Sequence, residues 1–418
     1  MKKSTFTLLL FLLMLGQIAA QLDMSAEIRP RFESNNGYKS LLNTNQKGTD
    51  FISQRSRLTL KYKLDNVKLG MSLQNVRVWG DVGTLASTDI NSSFHEAWAE
   101  LMISNSWSAK MGRQEIVYDD HRIFGDVGWA QQARSHDALL FKYIPNDNHR
   151  LDIGFAMNAD NRGRVDVLYS NVAGYKTMQY GWYHGKFNGL EMSFLLLNTG
   201  IEYDDANNDR KIDYMQTIGP RFTYKAGRFN AVATTYFQTG KVGGNTVNAS
   251  YYSGDLGYKV HKNVKIGVGM EYLSGKDQND TGTDVLSFAP LFGTNHKFNG
   301  WMDYFYVGNH KGSVGLVDIY FPLVYSKDKF SAKLIPHLFS AAADVYNGTT
   351  KMDRNLGTEI DLTVGYKVSK GVKINGGISK MLATETMEVL KGGDKDAANN
   401  WGWLMVTIKP QLISNAKK

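Results

Sequence analysis

The stretch Val264-Lys265-Ile266-Gly267-Val268-Gly269-Met270-Glu271-Tyr272 alternates without a slip. In an extended chain Val264, Ile266, Val268, Met270 and Tyr272 share one face, and Lys265, Gly267, Gly269 and Glu271 share the other. One face is wholly apolar. The other carries Gly as often as charge, whereas a water-facing sheet surface would be studded with Lys, Glu and Thr. A small and mixed face of this kind suits the lumen of a closed barrel whose apolar face meets lipid.

The pattern recurs. Leu151, Ile153, Phe155 and Met157 alternate with Asp152, Gly154, Ala156 and Asn158. Thr358, Ile360, Leu362, Val364 and Tyr366 alternate with Glu359, Asp361, Thr363 and Gly365. Predicted strands fall at 22–33, 51–64, 67–79, 92–103, 106–117, 136–145, 149–157, 175–185, 189–198, 212–225, 228–239, 247–260, 264–274, 314–325, 329–340, 356–368, 372–383 and 401–409. The expectation is an all-β fold, a transmembrane antiparallel β-barrel of eighteen strands.

The connections orient it. Asp65-Asn66, Ser104-Asn105, 146–148, 186–188, Ala226-Gly227, 261–263, 326–328 and 369–371 are tight turns rich in Asn, Asp, Gly and Lys. The others are long: 34–50, 80–91, 118–135, 158–174, 199–211, 240–246, 275–313, 341–355 and 384–400. Long and short alternate, as periplasmic turns and extracellular loops do in outer-membrane barrels. Aromatics near strand ends, among them Tyr62, Trp79, Trp107, Tyr143 and Tyr366, fit interfacial girdles.

Composition agrees. Gly is abundant (41), Pro scarce (7), and Cys absent, which excludes disulfides, thiolate metal sites and cysteine nucleophiles. Met1-Lys2-Lys3, an apolar run from Leu8 to Leu15 and Ile18-Ala19-Ala20 form a secretory leader over 1–20. Residues 21–418 are then one barrel domain. No later window is apolar for the ~20 residues a spanning helix needs. The formal net charge of +8 falls by two when Lys2 and Lys3 leave, and it hints at anionic partners. Nothing suggests nucleic acid.

Charge is concentrated on inward faces. Glu27, Arg29, Arg31 and Glu33 share a face of the first strand, and Arg55, Arg57, Thr59 and Lys61 share one of the second. Arg221 and Lys225 share a face of the tenth, and Lys333 and His337 of the fifteenth. Arg or Lys on the lipid face would cost ~2–4 kcal/mol at the midplane. Two uses stay open: a cationic lumen that draws anions, or a network with Glu27, Glu33, Glu96, Glu100, Asp255 and Glu359 that closes the pore.

Enzymatic motifs are thin. Asp119, Asp120, His121 and Asp126, followed by His136 and Asp137, could serve a rim hydrolase or could be a solvated loop. Asp205, Asn207 and Asp209 have calcium-loop spacing, but Arg210 stands where Gly is needed and Gln216 where Glu is needed. No catalytic residue, metal or other cofactor is expected.

Several segments resemble the alginate-export family of outer-membrane barrels when taken together. They are 74–81 (QNVRVWGD), 94–98 (FHEAW), 112–118 (GRQEIVY) with Arg122, Gly125 and Trp129, His136-Asp137-Ala138, and 298–303 (FNGWMD). The resemblance implies a monomeric eighteen-stranded barrel with a basic lumen, passing an anionic polysaccharide. It adds Arg77, Arg113, Arg122 and Arg134 to the basic path. Arg77 and Arg113 fall in phase with apolar Met71, Leu73, Ala109 and Met111, which a bulge would cure. No periplasmic turn is long enough for a plug, so an inward plug would come from 275–313. The expected function is an outer-membrane channel for anionic solutes or sugar-acid chains. The alternatives are a closed binding barrel and a rim hydrolase.

Overall fold

The computed structural model describes residues 21–415 except 90, 161, 163–166, 170–173 and 311; the expected leader lies outside them. Eighteen antiparallel strands form one closed sheet. They are β1 (Gln21–Asn36), β2 (Thr49–Leu64), β3 (Val67–Val78), β4 (Ser92–Met102), β5 (Trp107–Gln114), β6 (His136–Asn146), β7 (His149–Met157), β8 (Thr177–Phe187) and β9 (Leu190–Asp204). Then come β10 (Arg210–Ala226), β11 (Phe229–Val242), β12 (Asn245–His261), β13 (Val264–Leu273), β14 (Leu316–Tyr320 continued by Leu323–Lys327) and β15 (Phe330–Ser340). Last are β16 (Asn355–Ser369), β17 (Val372–Ala383) and β18 (Asn400–Ile408 continued by Gln411–Ser414). Each strand pairs with its sequence neighbours, and β1 closes the ring on β18, Ile28 facing Ile408 and Asp23 facing Ser414. Closure leaves no sheet edge, the condition for a sheet to cross a bilayer.

The faces are inverted relative to a soluble protein. Leu58, Met71, Leu73, Phe94, Leu196, Met270, Ile360 and Leu362 are exposed on the outside. Glu27, Arg29, Arg31, Arg55, Asp152, Glu271, Asp318 and Glu359 are buried inside. Apolar side chains outside and charges inside are stable only where the outside solvent is lipid.

Two expected loops are not loops. Connection 199–211 shrinks to 205–209, because β9 and β10 run on to Asp204 and from Arg210. Connection 240–246 is the two-residue turn Gly243-Gly244, both at positive φ (57° and 84°), as a twisted hairpin turn of this length requires. The Asn and Asp content of these segments reads as loop, yet the strands rise above the apolar belt with polar side chains on both faces. Asp205 Oδ1 accepts the Asn207 and Asp209 amides, and its carboxylate pairs with Lys211. The would-be calcium loop is thus a side-chain-capped turn. At the other end, β18 resumes after Pro410 and extends the closure past the predicted last strand.

Two segments fold into the barrel. The stretch between β5 and β6 meets the stretch between β13 and β14 through a parallel bridge, Phe124 beside Phe292. Gly125 N donates to Phe292 O at 2.9 Å and Thr294 N to His121 O at 2.8 Å. Phe124, Phe292, Tyr118, Tyr175, Tyr180, Trp182 and Met302 belong to a core inside the lumen. Tyr118 stacks on Trp182 of β8 with centroids 4.4 Å apart, and its hydroxyl donates to Asp152 at 2.7 Å. The second segment is the one expected to supply a plug; the first was not foreseen in that role.

Candidate functional site

The lumen has a basic wall, which seats residues 128–131 of the first inward segment, and an acidic wall, which seats the second segment together with Arg122 of the first. On the basic wall, Arg29 donates to the carbonyls of Gly128 (2.8 Å), Trp129 and Ala130 and to Gln131 Oε1 (2.8 Å). Arg31 donates to Trp129 O at 2.6 Å, pairs with Glu33 at 2.8 Å and lies 3.9 Å over the Trp129 ring. Arg55 pairs with Glu27 at 2.5 Å. Guanidinium groups suit this work because their fixed fork of donors can satisfy several carbonyls at once.

On the acidic wall, Glu271 of β13 accepts from Arg122 at 2.9 Å and from Asn299 Nδ2 at 2.8 Å. Glu359 of β16 accepts the Met302 amide at 2.8 Å, and Asp361 accepts the Trp301 amide at 3.2 Å. Asp318 of β14 faces His337 at 2.9 Å. Glu359 and Asp361 thus take backbone N–H groups that a segment without secondary structure would otherwise leave unpaired inside a barrel.

Several predicted lumen bases are therefore occupied. Arg57 spends Nε and Nη2 on Gln74 Oε1. With Lys61 it borders a chamber of 280 Å³ that also holds Arg55 and Lys409, but four carboxylates, Glu27, Glu96, Glu115 and Asp126, line it as well. The first-strand and second-strand patch is thus balanced. Lys333 of β15 lies 5.4 Å over the Trp301 ring. Arg221 pairs with Asp120 at 3.0 Å, and Lys225 with Glu191 at 3.6 Å.

Arg77 and Arg113 keep the outward phase of their strands. The bulge that could have turned them lies in β4, where Ser72 faces Glu96 and Leu73 faces Phe94, leaving His95 as the extra residue. β3 and β5 keep their phase. Arg77 stays on the outer face and pairs with Asp89; Arg113 faces Asp137 across the sheet at 3.0 Å but also borders the pocket formed by Trp129, Arg134 and His296 of the inward segments. Arg134 sits in the inward segment, donates to Gly293 O at 3.0 Å, and is held by burial at about 10, below the ordinary guanidinium range.

The rim cluster is dispersed. Asp120 is on Arg221, Asp119 accepts from the Trp182 indole at 3.0 Å, His136 meets the Tyr175 hydroxyl at 3.0 Å, and Asp137 is on Arg113. His121 faces Asp126 at 3.3 Å. The hydrogen bond from His121, with the Gly128 amide, holds the Asp126 carboxyl down at about 2. Each group serves a different contact, so they do not converge on one reacting centre.

One wide open space was missed from sequence. A chamber of 1080 Å³ lies at the end that carries the tight turns, below the inward segments. Arg150, Lys186, Arg221, Lys225, Lys259 and Lys265 line it from the strands, and Arg228 and Lys262 from the turns. The acids there are Asp119, Asp147 and Glu191. The signal is present in the sequence, since these bases crowd the tight turns, but Lys beside Asn and Gly there reads first as turn chemistry.

A closed eighteen-strand antiparallel barrel with an apolar belt, a charged lumen and inward segments defines an integral outer-membrane protein of the porin type. The chain belongs to the alginate-export family, whose model, described as alginate export, matches residues 20–398. Among solved structures it is similar to OccAB1 of Acinetobacter baumannii, at 10% identity and a TM-score of 0.65, over 96% of this chain and 98% of that one. It is also similar to the outer membrane protein OpdK of Pseudomonas aeruginosa, at 11% identity and 0.61, over 93% and 98%. A structure of OpdK with vanillate gives 12% and 0.59, over 93% and 98%. At these identities the likeness is one of fold. The comparison with curated sequences gave no match.

Proposed function

We propose that this protein is a passive outer-membrane channel for anionic solutes, sugar-acid chains among them, which meet its basic chamber at the periplasmic mouth. The chamber carries the reading: eight Lys or Arg against three carboxylates. Tight turns mark the periplasmic end in barrels of this kind. Clustered positive charge between low-dielectric walls raises the local concentration of anions and lowers their barrier to entry. One chain encloses the whole path, which supports a channel that works as a monomer. Family membership supports an exported polyanion, and the vanillate in OpdK, a carboxylate, is in keeping with the charge.

The test is reversal potential in planar bilayers under a salt gradient. Anion preference in the wild type, lost in a Lys259→Gln, Lys265→Gln variant, supports the proposal. Cation preference overturns it. A second reading, a closed barrel that binds partners through its outer loops, draws on the core of inward segments that fills the lumen; complete absence of conductance would favour it.

A further inference from the structure

The outer wall carries a polar groove at the extracellular edge of the apolar belt. Along β2 the outward residues run Ile52, Gln54, Ser56, Leu58, so two polar side chains interrupt an apolar row. Beside them on β3 the outward row ends Leu73, Asn75, Arg77. The groove that results has a volume of 640 Å³. Its polar groups are organised: Gln54 Nε2 donates to Ser56 Oγ at 3.1 Å, Asn75 Nδ2 to Ser92 Oγ at 2.9 Å, and Arg77 Nε to Asn75 Oδ1 at 2.7 Å. Asp89, from the connection between β3 and β4, closes one side by pairing with Arg77. Trp79 closes another; its indole donates to Gln54 Oε1 at 3.0 Å and remains 56% exposed.

We propose that this groove binds the sugar headgroup of a glycolipid in the outer leaflet. Its position commits it to lipid. Leu58, Leu73 and Phe94 border it below and are exposed on the lipid face. Arg77 is one residue from the extracellular end of β3, at headgroup level, where an outward Arg is tolerated far better than at the bilayer midplane. Its chemistry commits it to a saccharide. Paired amides, hydroxyls, a carboxylate and a guanidinium offer both donors and acceptors at fixed spacing, and hydroxyl-rich rings need both. Arg77 directs Nε and Nη2 into the network and keeps further N–H groups for a ligand. The Trp79 indole supplies an apolar platform for a sugar ring, and Trp favours this depth in a bilayer.

The experiment uses the full barrel in phosphatidylethanolamine nanodiscs, titrated with rough-type lipopolysaccharide, with bound glycolipid counted by native mass spectrometry. The wild type retains one glycolipid per barrel through the groove. Arg77→Ala with Trp79→Ala weakens retention roughly tenfold or more, the scale of one or two lost hydrogen bonds. Leu196→Ala, on the far wall, leaves it unchanged. If the double variant fails to fold by heat-modifiability, Gln54→Ala with Ser92→Ala takes its place. Equal retention by variant and wild type overturns the proposal. So does a Ser92→Cys barrel that forms disulfide dimers in native membranes, because a second copy would then own the groove.

Discussion

Arg122 and Glu271 meet at 2.9 Å inside the barrel, with side chains only 5% and 4% exposed. One comes from the inward segment after β5 and the other from the wall of β13. Asn299, from the second inward segment, bonds both: it accepts from Arg122 and donates to Glu271. Arg122 is therefore a fastener between two segments and a wall. Removing it leaves a buried, uncompensated carboxylate, a change that costs about 3–5 kcal/mol. Arg122→Ala is expected to lower thermal stability and raise single-channel conductance, both measurable on the purified barrel. Unchanged conductance would mean that the segments hold without it.

Arg29 should behave differently from the chamber lysines. Its donors are committed to Gly128, Trp129, Ala130 and Gln131. Arg29→Ala is expected to increase conductance by loosening residues 128–131 while leaving anion preference nearly intact. A loss of preference equal to that of the Lys259, Lys265 variant would assign Arg29 to the solute path.

Salt should erode the preference itself. The screening length falls from about 10 Å at 0.1 M to about 3 Å at 1 M. The ratio of anion to cation permeability is expected to fall toward unity over that range. A ratio independent of salt would point to size selection at the inward segments.

Acid should loosen the second segment. His310 is buried between Phe305 and Gly315, donating Nε2–H to Gly315 O at 2.9 Å, with Lys391 nearby. Burial first, then the Lys391 charge, depresses its pKa from 6.5 to about 3. A depressed imidazole binds fewer protons folded than released, so docking is fully stable above pH 6.5 and weakens as pH falls toward 3. Conductance is expected to rise as pH falls through that window, and His310→Gln should flatten the rise below pH 6.5. An identical pH profile in the variant would exclude His310.

The strands were legible because alternation is local. Val264 to Tyr272 needs no partner to declare its two faces, and the wall charges declare theirs by the same rule. What the charges do was not legible. Arg29 reaches Gly128 about a hundred residues away, and no local pattern encodes that bond. The inward course of 118–135 had one faint sign: Ile123, Phe124 and Trp129 are apolar in a supposedly wet loop, while Ile116 reads as the end of the preceding strand. Strands β9 to β12 misled in the opposite sense, since above the belt both faces meet polar surroundings and alternation loses its contrast.

The bridge between Phe124 and Phe292 joins the two inward segments, so a displacement of one would carry the other. Their traffic control should therefore be all or none. Recordings would show two conductance levels without a stable halfway state, and an insertion tolerated in one segment would have to be matched in length by the other.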